Sequence, residues 1–411
     1  MVQAASPSVA AATSAATPSP TPTASFDSDK VAARIQAVSR DGIGTSGVSV
    51  LTDAGTAVAG RGVHRPLAPA STMKLLTTLA AVDALGADHT FSTRVVSPSR
   101  GKVVLVGGGD PLLTDKASKS AAKPASLEAL AKATAAALTA SGVRKVSLGY
   151  DATLFTGPDF NPTWKKKWRV FLARISPLLV DEGRFNPWQS DPKPALTAAK
   201  AFAKRLKADG ITVTGVKAVR ASASAASVAS VESAPLGTII GHTLRVSDNL
   251  AADVLARQFA LATGAEPSFA GATSAVKSWL VAHDLWDPGM RLVDGSGLSD
   301  KSRVTPSVLA SAVAVSLGTE RLGAVAAGLP VAGKSGTLKD RFNDASERIA
   351  RGNVRAKSGT LTSIGALAGY LTTADGTRLV FAAMANRARG ETTARNWLDR
   401  TAAALVGCGC A

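Results

Sequence analysis

The stretch that most restricts how this chain can fold is residues 69–86, where Pro69-Ala70-Ser71-Thr72-Met73-Lys74 opens an apolar run closed by Leu85 and Gly86. Proline suits the approach to a helix and glycine its exit, and Met73, Leu76, Leu79, Ala80 and Val82 recur at helical spacing. The stretch therefore reads as one helix of about fifteen residues. Residues three apart share a helix face, which sets the Ser71 hydroxyl beside the Lys74 amine, a nucleophile beside a base. The helix N-terminus adds partial positive charge where an oxyanion would form. Ser-x-x-Lys recurs at Ser99, Ser120, Ser190 and Ser274. The motif alone thus does not separate catalysis from a serine that merely caps a helix, and its surroundings have to decide.

With 411 residues, 45% apolar and 19% charged, the composition is globular and the length allows two or three domains. No apolar run reaches the roughly eighteen residues that would suggest a membrane span. A net charge of +17 suits anionic envelope polymers, although a solvated basic surface is the commoner cause. No nucleic-acid module accompanies the charge, so a nucleic-acid partner is not expected. Cys408 and Cys410 form a Cys-x-Cys pair that lacks two further zinc ligands and reads as a local disulfide or two idle thiols. His64, His89, His242 and His283 show no metal-ligand spacing, so neither a metal nor another cofactor is expected.

Residues 1–25, rich in Ala, Ser, Thr and Pro, lack the regions of a signal peptide. The expectation is a disordered tether of the kind that follows a removed signal or anchor. Residues 26–95 and 236–406 read as one catalytic domain, interrupted by an insert at 96–235 and followed by a tail at 407–411. A hairpin around Asp53-Ala54-Gly55 places a strand pair directly before the Ser71 helix. In the insert, Val103-Val104-Leu105-Val106 runs into Gly107-Gly108-Gly109-Asp110-Pro111, whose spacing is not the dinucleotide fingerprint. Helices at 126–140 and 194–208 alternate with strands at 145–150 and 211–213. Trp164-Lys165-Lys166-Lys167-Trp168 reads as a solvated loop, with a site for an acidic polymer as the alternative. Helices at 236–246 and 250–259 then flank Ser247-Asp248-Asn249, the one Ser-x-Asn of the chain. Asp294-Gly295-Ser296-Gly297-Leu298-Ser299 forms a Gly-rich loop. Strands at 354–361, 365–371 and 378–384 make an antiparallel meander before a last helix at 392–405. The class is α/β (α+β).

Ser-x-x-Lys at Ser71, Ser-x-Asn at Ser247 and Lys-Ser-Gly at Lys357, in that order, match the active-site set of penicillin-binding proteins and class A β-lactamases. The wider chain resembles the low-molecular-mass class C penicillin-binding proteins, a family of serine-type D-alanyl-D-alanine carboxypeptidases and endopeptidases. Val106 to Pro111, Ser176-Pro177-Leu178-Leu179-Val180-Asp181-Glu182, Asp294 to Ser299 and Ala356 to Leu361 carry the likeness further. The long interval between Ser71 and Ser247 matches the insert that marks this family. No Glu-x-x-Leu-Asn stretch is present to position a deacylating water, which counts against a dedicated β-lactamase. Two positions depart from the pattern: Ser358 stands where the family usually has Thr, and Gly183 follows Asp181-Glu182 where Asn is common. Lys-Ser-Gly also occurs at Lys334. The Lys357 copy begins an alternating strand and is preferred; the other reads as a surface turn, similar to the family's Gly-Thr-Leu-x-x-Arg-Phe.

The resemblance implies a penicillin-binding transpeptidase-like domain, an antiparallel sheet flanked by helices, carrying an insert of one or two smaller α/β domains. It implies that the D-Ala-D-Ala end of a peptidoglycan stem peptide, or a β-lactam, acylates Ser71 in an extracytoplasmic setting. Lys74 would act as base, Ser247 would relay a proton, and Asn249 would hold the substrate amide and Lys74. Backbone N–H groups of Ser71 and Thr360 would form the oxyanion hole, with Ser358, Gly359 and Thr360 lining the carboxylate site. A lysine that works as a base near neutrality needs its pKa lowered from about 10.4 by about three units, roughly 4 kcal/mol. A second cation about 5 Å away supplies on the order of 3 kcal/mol at an effective dielectric near 20. Lys357 is the expected cation, with burial adding the rest. The rival readings are a β-lactamase or esterase on the same fold, and a catalytically idle protein that binds the cell wall.

Overall fold

The structure, a computed structural model, describes residues 27–409 apart from 121, 167, 169–171 and 187. The expected tether at 1–25, together with Lys167 and Cys410, lies outside the described residues. Helix α1 (Ser28–Ala37) leads into strands β1 (Ile43–Thr52) and β2 (Ala57–Arg61) and then helix α2 (Met73–Leu85). Every residue of α2 from Met73 to Val82 is buried, as expected of a helix that, Lys74 apart, carries apolar or small residues on all sides. The helix does not begin at Ser71. Ala70–Thr72 forms a 3-10 turn, with Thr72 Oγ1 donating to Pro69 O at 2.7 Å and Ala70 in the left-handed region at φ +46°. A local hydroxyl-to-backbone bond has displaced the first α-helical turn.

The chain then builds a second layer. Its elements are β3 (Ser92–Ser99), β4 (Lys102–Val106), α3 (Leu127–Ala140), β5 (Lys145–Asp151), a small hairpin of β6 (Arg184–Asn186) and β7 (Gln189–Ser190), α4 (Pro194–Ala208), β8 (Thr212–Ala218) and β9 (Ala226–Glu232). Five strands pair in the order β8-β5-β4-β3-β9. β4, β5 and β8 run parallel, because α3 and α4 supply the crossovers that parallel neighbours need. Leu127 and Leu130 of α3 and Phe202 and Leu206 of α4 share a core with Val103, Leu105, Val146 and Leu148. The sequence pattern does not announce β3 or β9. Pro98 interrupts β3, and β9 is a Ser/Ala-rich edge strand whose side chains stay at least partly exposed, so neither shows a clean alternation.

The first layer resumes with α5 (Leu236–Val246), α6 (Asn249–Ala262), α7 (Phe269–Ala282), α8 (Pro306–Gly318) and the short α9 (Gly323–Ala327). It closes with β10 (Val354–Leu361), β11 (Ile364–Thr372), β12 (Arg378–Ala388) and α10 (Glu391–Val406). The sheet is antiparallel in the order β10-β11-β12-β1-β2. Alternate residues divide between two cores: Ala366, Ala368, Val380, Ala382 and Met384 join α2 and α8, while Leu367, Leu371, Leu379, Phe381 and Ala383 join α1 and α10. With both faces covered, β12 is apolar without a break from Leu379 to Ala385. A further cluster ties Ala70 and Leu361 to Phe155, Trp164, Leu179 and Leu250, so the segment after β5 lies over the end of the sheet where α2 begins. Among the described residues no single helix is long and apolar enough to cross a membrane. Cys408 is buried and disulfide-bonded.

Candidate active site

Three elements converge at that end: the turn before α2, the α5–α6 junction, and the edge strand β10. Gly359 makes the approach of β10 possible, since a Cβ there would stand 2.8 Å from Pro69 O and from Ser71 N. Beneath the turn, Gly297 adopts φ +76° and presses so closely on Ala70 O that a Cβ would lie 1.8 Å from it. At the junction, Ser247 ends α5 in the left-handed conformation, φ +62°, a position that usually takes glycine. Asp248 then caps α6, accepting from Ala251 N at 3.0 Å. The reversal sends Ser247 and Asn249 to different partners.

Lys74, fully buried, donates from Nζ to Asn249 Oδ1 (2.6 Å) and Ser296 O (2.9 Å), and lies 3.0 Å from Ser71 Oγ. Lys357, equally buried, donates to Ser247 Oγ (3.0 Å) and to Ser358 O (2.6 Å). The structure thus brings the five residues together as two bonded sets, Ser71–Lys74–Asn249 and Ser247–Lys357, whose serines line one cavity. Ser358 and Thr360 line a cavity of about 400 Å³ that also holds Ser71, Ser247, Thr337 and Arg341. Lys334 is exposed on a turn, while Gly336 and Thr337, which follow it, reach the cavity wall. Thr337 Oγ1 lies 2.8 Å from Ser358 Oγ.

Burial pushes Lys74 down to about 8, against the opposing pull of Asp253, Asp248 and Asp294. Lys357 is pushed well below the ordinary lysine value, by burial first and then by the charges of Lys74 and Arg341. Burial, rather than the second cation, is thus the leading cause at both amines, and the repulsion between the two lysines is mutual, so a proton on either opposes a proton on the other. The carboxylates near Lys74 help it hold a proton, while Arg341 adds to the repulsion at Lys357.

The Gly-rich loop at Asp294–Ser299 is strapped in place by buried polar bonds. Asp294 accepts from Gly297 N, Ser299 N and Trp164 Nε1 (2.7 Å), Gly295 N donates to Asp253 Oδ1 (2.7 Å), and Thr77 Oγ1 donates to Gly295 O (2.7 Å). These straps aim Ser296 O at Lys74. They also correct the solvated-loop reading of the Trp/Lys cluster at its first member, since Trp164 is only 2% exposed, whereas Lys165 and Lys166 stay exposed as expected, Lys165 pairing with Asp300. The first tryptophan holds the loop instead of facing solvent or a polymer. Sequence reasoning missed Thr337 and Arg341 as well. The signal available was the second Lys-Ser-Gly with the arginine shortly after it, read as a surface turn. Arg341 is held by a buried ion pair with Asp399, from the last helix.

Comparison with known proteins places this arrangement. The family model of D-Ala-D-Ala carboxypeptidase 3 (S13) matches residues 28–191 and 187–405. A carboxypeptidase of Mycobacterium tuberculosis is 36% identical over 84% of this chain and 76% of its own length. Carboxypeptidase DacB of Mycolicibacterium smegmatis is 35% identical over 87% of this chain and 79% of its own. Among solved structures, penicillin binding protein 4 of Haemophilus influenzae superposes with a TM-score of 0.74 at 21% identity, covering 92% of this chain and 98% of that one, which establishes a shared fold.

Proposed function

The chain belongs to the D-Ala-D-Ala carboxypeptidase 3 (S13) family and is a D-Ala-D-Ala carboxypeptidase, and from that premise we propose that its reaction passes through an acyl-enzyme on Ser71. The observation that carries the proposal is the bonding of Lys74. Nζ lies 2.6 Å from Asn249 Oδ1, 2.9 Å from Ser296 O and 3.0 Å from Ser71 Oγ, so that once neutral the amine can give its two hydrogens to the first two and keep its lone pair for the Ser71 hydroxyl. Lys74 takes the Ser71 proton as Oγ attacks the carbonyl of the penultimate D-alanine. Backbone N–H groups of Ser71 and Thr360 receive the oxyanion, and the turn before α2 aims the positive end of the helix at it.

Collapse of the tetrahedral intermediate breaks the peptide bond. Ser247, bonded to Lys357, relays to the leaving amine the proton that Lys74 took from Ser71, so Lys74 is neutral again as D-alanine departs. Hydroxyls of Ser358 and Thr360 hold its carboxylate, with Thr337 and Arg341 behind them. Water then attacks the ester and restores Ser71. A β-lactam acylates the same oxygen, but its opened ring remains attached, so the adduct persists. Action on peptidoglycan implies an extracytoplasmic setting, where the basic surface meets anionic polymers.

The test is intact-mass measurement after incubation with penicillin, beside release of D-alanine from a stem pentapeptide. We expect one adduct on Ser71, lost together with D-alanine release in Ser71→Ala. An adduct that survives Ser71→Ala refutes the assignment. Rapid turnover of nitrocefin without trapping would favour a β-lactamase or esterase, and binding to sacculi with no turnover in the native chain an idle wall-binding protein.

A further inference from the structure

A second constellation sits beside the first, on the outer side of the α5–α6 junction. Glu182, in the 3-10 turn Asp181–Gly183, His242 of α5 and Asp248 at the cap of α6 each offer one ligand atom, and these atoms lie within 4.8 Å of one another. The Asp248 side chain is only 8% exposed. Its Oδ1 serves the helix cap, but Oδ2 is buried and accepts no hydrogen bond, and His242 Nε2 is buried and equally unbonded. The two atoms face each other at 3.5 Å. That is long for a hydrogen bond, yet close to the ~3.3 Å edge between two ligands of a tetrahedral ion bound at about 2.0–2.1 Å.

The charge balance points the same way. Two carboxylates share one imidazole. Arg184 and Arg245 act on the cluster only as weaker influences. A cavity of about 510 Å³, lined by Glu182, Asn186, Ser247, Asp248 and Asn249, opens onto the two carboxylates.

We propose that Glu182, His242 and Asp248 bind one divalent cation of the zinc class, with solvent in the remaining position. The imidazole nitrogen selects a borderline ion over magnesium or calcium, which prefer all-oxygen sites. Glu182, the exposed member, closes onto the ion by turning its side chain. Such an ion joins the Asp181–Gly183 turn to the one residue that separates Ser247 from Asn249. It therefore holds the spacing between the group that contacts Lys357 and the group that contacts Lys74, and takes no part in bond making. The histidine spacing of the sequence hid this site because only one imidazole is used and Glu182 comes from a distant segment.

The test is calorimetric titration of the tag-free, chelator-stripped full chain with zinc chloride at neutral pH, repeated with His242→Gln and Glu182→Gln. We expect one equivalent bound by the native chain, with affinity more than about tenfold weaker in each variant, since loss of even an outer partner of a ligand costs that much. The thermal midpoint should rise with zinc in the native chain and move less in both variants. Absence of saturable uptake, equal affinity for magnesium, or undiminished binding by a Glu182→Gln chain with a native circular dichroism spectrum overturns the proposal. Binding requires no turnover, so its failure would leave the acyl-enzyme reading untouched.

Discussion

The pH dependence of acylation tests the proton inventory at Ser71 directly. Lys74 sits near 8 instead of the ordinary 10.5, a difference worth about 3 kcal/mol that burial imposes on the charged form. The sign follows from the role of the group: a base works when deprotonated, so the rate should rise with pH and level off above the folded pKa. With a pKa near 8, about one tenth of the molecules carry the neutral amine at pH 7, about half at pH 8 and about nine tenths at pH 9. The second-order constant for penicillin acylation should therefore rise about fivefold from pH 7 to pH 8 and less than about twofold from pH 8 to pH 9. A lysine at its ordinary value would instead give about tenfold per pH unit throughout. Stopped-flow competition against a fluorescent penicillin measures the constant over this range. Asp253→Asn adds a second perturbation, because it retains the acceptor for Gly295 N but removes a charge that helps Lys74 keep its proton. Its midpoint should move to lower pH. A native profile that climbs tenfold per unit to pH 9, or an Asp253→Asn midpoint that moves upward, refutes burial as the cause and Lys74 as the base.

Gly359→Ala forces a methyl against Pro69 O and Ser71 N; overpacking of about 1–3 kcal/mol at this contact should slow acylation by about ten- to a hundredfold, measured by penicillin trapping. Asp399→Ala strands the buried Arg341 guanidinium and should cost about 3–5 kcal/mol in urea unfolding, far more than an exposed pair such as Glu391–Arg395. Trp164→Phe leaves Asp294 Oδ2 without one of its buried donors and should destabilise by about 1–3 kcal/mol, with D-alanine release impaired as the loop carrying Ser296 loosens.

Local chemistry made much of the architecture readable. The apolar spacing of Met73 to Val82 and the proline and glycine around it announce α2, and the unbroken apolar run of β12 follows from a sheet covered on both faces. The order of the three motifs was readable too, and with it the family. Less legible were β3 and β9, whose Ser, Ala and Pro content carries little of the alternation that marks a half-buried strand. Trp164 misled because a tryptophan flanked by lysines looks solvated until a buried carboxylate from a loop far along the chain meets its indole N–H.

What the residue order determined by itself was the inventory: which hydroxyls, amines and carboxylates exist, and that Ser71 and Lys74 share one turn. Only the tertiary structure decided that Lys357 and not Lys334 faces Ser247, that burial is the leading cause lowering Lys74, and that Glu182 meets His242 and Asp248. The physical reason is range. Helical spacing reports contacts a few residues away, whereas desolvation and charge depend on which distant segments close over a group and exclude water.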